Sequence, residues 1–174
     1  MNLKRFPAAV ALITGLMAFG IADQPPPVSI VIASAAKSFL NTLDAATRAK
    51  AVFAFGDQKQ RANWSNLPTG IYQRAGVRLG DLKPAERQSL MKLLATALSK
   101  SGYEKVRAIL EGDETLRSGG NGKLVFGRDE YYVSILGEPS DLEPWMIQFG
   151  GHHLALNLTL AGNKGTLAPS HTAA

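Results

Sequence analysis

Apolar positions fall into two regimes along this chain, helical spacing up to about residue 116 and strand-like alternation beyond residue 123. From Ile30 to Leu43, the residues Ile32, Ala36, Phe39, Leu40 and Leu43 share one face, with Lys37, Ser38 and Asn41 opposite, which predicts an amphipathic helix. Asp44 is the expected N-cap of a short helix over Ala45–Ala51, and Val52-Phe53-Ala54-Phe55 runs on to Gly56-Asp57. Residues 56–80 hold no sustained period and carry Asn63, Asn66, Pro68, Gly70, Gly76 and Gly80, so they read as an ordered loop region. The clearest helix is Pro84–Lys100, with Leu90, Leu93, Leu94, Ala97 and Leu98 on one stripe, Pro84 in its first turn and Gly102 as its stop. A further helix from Tyr103 to about Leu116 turns Val106, Ile109 and Leu110 inward, and the two are expected to pair as a helical hairpin.

Beyond Ser118-Gly119-Gly120-Asn121-Gly122 the pattern is that of sheet. Strands are expected at Lys123–Phe126, Glu130–Leu136, Trp145–Phe149, His152–Leu160 and Thr166–Ala168. The connections between them are short, which favours an antiparallel meander. Helices first and strands afterwards make an α+β domain, with N-terminal helices packed on a C-terminal antiparallel sheet.

The first residues change the picture of where this domain works. Lys4-Arg5, the apolar run Phe6–Ile21 and the small residues up to Ala22 read as a secretion signal, residues 1–22, cut after Ala22. Pro7, Gly15 and Gly20 interrupt a run already short for a span of about 20 residues, so no stable membrane span is expected after cleavage. Residues 23–29, with Pro25-Pro26-Pro27, read as a linker, and residues 30–174 as a single domain. The expected location is secreted or periplasmic. Loss of Lys4 and Arg5 with the signal lowers the formal charge from +5 to +3. The remaining basic residues are scattered without aromatic interleaving, which excludes nucleic acid as an expected partner and leaves a small-molecule substrate or ligand. The chain has no cysteine, so disulfides, thiolate metal sites and a Cys nucleophile are excluded.

Candidate chemistry centres on the three histidines. Apolar parity switches across Gly150-Gly151, from Trp145, Ile147 and Phe149 to Leu154, Leu156, Leu158 and Leu160, as a bulge at the glycines would produce. Extending the second phase backwards places His152 on the leucine face as a core histidine, and His153 with Ala155, Asn157 and Thr159 as the candidate ligand or proton carrier. His171 follows a strand that a hairpin should bring beside His153. Together the two would form a partial site for a divalent metal, completed by a carboxylate among Asp129, Glu130, Glu138, Asp141 and Glu143. The other reading of these histidines is structural. A second cluster, Arg61, Asn63 and Trp64, can line a polar binding pocket, or Trp64 can plug the core while the polar side chains satisfy loop backbone. No nucleophile elbow, phosphate-binding loop or dinucleotide fingerprint is present. Three functions stay open: a His/carboxylate metal-dependent enzyme, hydrolytic or oxidative; a non-catalytic ligand-binding module; and an inactive fragment.

Several segments together carry a family resemblance. They are Arg61-x-Asn63-Trp64 to Pro68, Leu93-Leu94 to Tyr103, Tyr131 to Gly137-Glu138-Pro139, Pro144-Trp145 to Gly151-His152-His153-Leu154-x-Leu156-Asn157, and Ala168-Pro169-Ser170-His171-Thr172. On these residues the chain resembles the bacterial exported family known as domain of unknown function 3500. The resemblance implies an exported α+β protein without an assigned activity and supplies no catalytic residues. It also implies that the chain corresponds to an N-terminal portion of a longer family architecture.

Overall fold

The computed structural model describes residues 26–120 and 122–171. The expected signal, residues 1–22, and the first part of the expected linker lie outside them. The helices are α1 (Val28–Thr42), α2 (Ala45–Ala51), α3 (Gln58–Arg61), α4 (Pro84–Ala97) and α5 (Lys100–Thr115). The strands are β1 (Val52–Phe53), β2 (Val77–Arg78), β3 (Tyr132–Leu136), β4 (Trp145–Gly151), β5 (Leu154–Ala161) and β6 (Lys164–His171).

The α+β layout follows from the sequence pattern. In α1 the buried face is Ile32, Ala33, Ala36, Phe39 and Leu40, and the helix already includes Val28 and Ser29, the last two residues of the expected linker. Asp44 caps α2 as expected, its Oδ1 accepting the Thr47 N–H at 2.8 Å. α4 starts at Pro84, and the Glu86 carboxylate accepts the Lys83 N–H at 2.8 Å. It packs along α1. The break to α5 comes earlier than glycine placement suggests. Ser99 is the N-cap of α5 and accepts the N–H of Gly102 at 3.1 Å, so Gly102 sits in the first turn of a helix instead of stopping one.

The sheet runs β1-β3-β4-β5-β6, with β2 paired to β3. From β3 to β6 it is the expected antiparallel meander, while β1 joins β3 in parallel. Two expected strand limits are corrected. Residues 123–126 make only an isolated bridge, Thr69 with Val125, because the chain turns at Gly70 directly after Thr69 and offers no strand to extend the ladder. At the other end β6 covers Lys164–His171, well beyond Thr166–Ala168.

One sheet face carries Val133, Ile135, Trp145, Ile147, Phe149 and the even leucines of β5, packed on α1, α4 and α5. The largest buried side chains in this layer include Trp145, Tyr131, Phe39 and Phe149. On the opposite face Ser134, Gln148 and Asn157 lie in register across three strands and are covered by the segment holding α3.

Candidate active site at the β4–β5 turn

The register pairs Gly151 with Leu154, so His152 and His153 are the two residues of a hairpin turn and belong to no strand. That corrects the assignment of faces by strand parity. The phase change of the apolar positions is the ordinary consequence of a two-residue turn, in which Phe149 opposes Leu156 and Ile147 opposes Leu158. His153 takes the left-handed backbone conformation, φ 63°, that lets the chain reverse. Its ring lies beside that of His152, with centroids 3.7 Å apart, instead of pointing to the other side of a sheet.

The turn is tied down from several sides. Tyr131 donates its hydroxyl to the His152 carbonyl, the His153 N–H donates to the Asn66 carbonyl at 2.9 Å, and Arg74 Nη2 donates to the Gly151 carbonyl at 2.9 Å. The same Nη2 holds the carbonyls of Ser65 and Leu67. Burial lowers the Arg74 pKa, an effect that three tyrosines and Asp113 oppose.

His152 is held by its side chain as well. Its Nδ1 lies 2.6 Å from Oδ1 of Asp113, a fully buried carboxylate on α5 whose Oδ2 accepts the Gly127 N–H at 3.0 Å. Phe126 packs on the ring, with centroids 5.1 Å apart. Sequence reasoning missed Asp113, although a signal for it exists. Val106, Leu110 and Asp113 are the buried residues of α5 at helical spacing, so an acid stands on an apolar stripe.

His153 and Asp113 border a cleft of about 210 Å³, walled by Ala108, Ile109 and Leu116 with Lys105 at its margin. Gly112 lines it too, at a position where an added Cβ would meet nothing within 4 Å. Burial lowers the His153 pKa first, the neighbouring His152 lowers it further, and Asp113 opposes both. The ring is therefore neutral at neutral pH and able to accept a proton.

The other expected ligands are not gathered here. His171 is the register partner of Leu154 at the end of β6 and lines a different groove, with Val106 and Pro169. Asp129 is paired with Arg87 and Arg117, and Glu130 with Arg78. Among the described residues no group of three His, Cys, Asp or Glu side chains converges to hold a metal ion.

Of Arg61, Asn63 and Trp64, the last two line one small cavity and Arg61 does not. The Arg61 guanidinium lies 4.6 Å over the Phe55 ring, and its carbonyl accepts from Gln148 Nε2. Asn63 donates to Gln60 Oε1 and accepts the Tyr72 hydroxyl at 2.8 Å. Gln60 in turn donates to Ser134 and Gln148, and Gln148 to Asn157, in a buried amide network. The cavity beside it holds only about 20 Å³, enough for a water and too small for an organic substrate. Trp64 is 46% exposed at its rim and plugs no core; that position belongs to Trp145.

The family model described as "Protein of unknown function (DUF3500)" matches residues 28–174. No curated protein and no solved structure gives a significant match. Among the described residues no helix is long and apolar enough to cross a membrane.

Proposed function

The chain belongs to this family of unknown function, from which no activity is inherited, and we propose that its β4–β5 turn is a proton-transfer site serving a small, largely apolar molecule. The observation that carries the proposal is the buried Asp113 carboxylate 2.6 Å from His152 Nδ1. A carboxylate there accepts the Nδ1 proton and leaves Nε2 as the ring nitrogen it does not engage. His153 lies tilted beside that ring and borders the cleft, so a proton taken from a bound molecule is received by an imidazole that burial already keeps neutral. The apolar walls select for an apolar body, and the imidazole for a group able to give up a proton or to be attacked by an activated water. Export of the protein, with cleavage after Ala22, is part of the same proposal. N-terminal sequencing of the periplasmic and culture fractions checks it, and a chain retained with residues 1–22 intact would remove it.

Hydrolysis of 4-nitrophenyl butyrate, an activated ester of suitable size, tests the site. The wild-type rate should exceed that of the urea-unfolded chain by about 10²-fold, the lower end of general-base contributions. It should rise with pH as an imidazole is deprotonated and fall at least tenfold in His153→Gln. A folded wild-type chain no faster than the unfolded one would overturn the proposal.

A further inference from the structure

Beside the histidine cleft lies a groove of about 260 Å³ between the first half of α5 and the end of the sheet. Its apolar floor is Val106, Leu154, Leu156, Leu167 and Pro169. Ser99, Ser101 and His171 are its polar lining, and no aspartate or glutamate lines it. The charged residue on its margin is Lys105, which is exposed, makes no salt bridge among the described residues, and lines the histidine cleft as well. An apolar trough with one uncompensated cation is complementary to an aliphatic chain that ends in an anion. The size sets the chain length. A cavity of ~150 Å³ holds the six carbons of benzene, so 260 Å³ accommodates roughly ten carbons.

We infer that this groove binds a free medium-chain fatty acid, its alkyl chain on the β5–β6 leucines and its carboxylate at Lys105. The inference deepens the function proposed above by naming the acyl class of its substrate, an ester that water cleaves into this acid and an alcohol, and for that role it rests on that reading; occupancy of the groove does not. Because Lys105 stands between the two sites, a carboxyl or ester group held there lies at the entrance to the histidine cleft.

Isothermal titration of the chain with hexanoate, octanoate, decanoate and tetradecanoate below their critical micelle concentrations measures the occupancy. Affinity should tighten about fourfold for each methylene up to roughly ten carbons and then level off, as the groove is filled. Lys105→Glu should weaken decanoate at least tenfold and leave decanol within twofold. Leu167→Glu, at a half-exposed position of β6, should abolish the binding of both. Vesicles of phosphatidylcholine should not bind. The titration needs no turnover, so a failed ester assay and a failed titration are separate results. No decanoate binding at millimolar concentration, affinity independent of chain length, equal loss of decanoate and decanol in Lys105→Glu, or capture by vesicles would each overturn the assignment.

Discussion

Replacement of Asp113 by asparagine tests the centre of the site with little change of shape. The carboxylate accepts two hydrogen bonds in a fully buried position, from Gly127 N–H and from the His152 ring. An asparagine retains one oxygen for one of these partners and turns an NH₂ donor towards the other. At least one charge-assisted hydrogen bond is lost, worth about 1.5–3 kcal/mol, and the His152 ring must change tautomer to accept from the new NH₂. The expected destabilisation is about 2–3 kcal/mol, a fall in Tm of roughly 5–10 °C for a chain of this size. Urea unfolding at pH 7.5 measures it, with the slope m held equal between variants. A double-mutant cycle with His152→Ala isolates the pair, and its coupling should exceed about 1 kcal/mol. An Asp113→Asn cost within about 0.5 kcal/mol, or coupling below that value, would refute the claim that this carboxylate fixes the turn.

Other consequences follow from the same geometry. The folded chain holds the His153 pKa below its ordinary value of 6.5, so the fold binds fewer protons than the unfolded chain there. The stability this contributes is intact above that value and is lost as pH falls through it towards the lower folded pKa; urea midpoints at pH 7.5 and 5.5 should differ less in His153→Gln than in wild type. The two tryptophans should separate sharply by the same denaturation assay. Trp145→Ala, fully buried and with Nε1 bonded to the Ser140 carbonyl, is expected to cost about 3–5 kcal/mol, and Trp64→Ala less than about 1 kcal/mol. Gln148→Leu should cost about 3 kcal/mol, because it strands Gln60, Asn157 and the Arg61 carbonyl in the covered face of the sheet. If that variant unfolds at the wild-type urea midpoint, the amide network contributes nothing.

Local pattern carried much of this protein. The helical stripes of α1 and α4, the Asp44 cap and the meander from β3 to β6 were legible because each depends on residues a few positions apart and on one apolar face. The family resemblance rested on short segments of the same kind and is matched by the family model over residues 28–174. Where a segment had no period of its own, the sequence was silent. Residues 56–76 form the cover of the second sheet face only because Ser134, Gln148 and Asn157 come into register across three strands and supply partners for Gln60 and the Arg61 carbonyl.

The histidines show the same division at one point in the chain. The phase change of apolar positions was visible, but a bulge within a strand and a two-residue turn between strands produce the same change, and only the pairing of Gly151 with Leu154 distinguishes them. That pairing decides everything that follows, bringing the two rings together where parity would have parted them and sending His171 to a separate groove. It also sets His152 against Asp113, a residue 39 positions earlier on a helix. The sequence by itself determined the main helices, the meander and where apolar faces lie, since those are properties of neighbours. Which carboxylate meets which imidazole was decided by the tertiary structure alone, because that contact depends on how α5 packs beneath the end of the sheet.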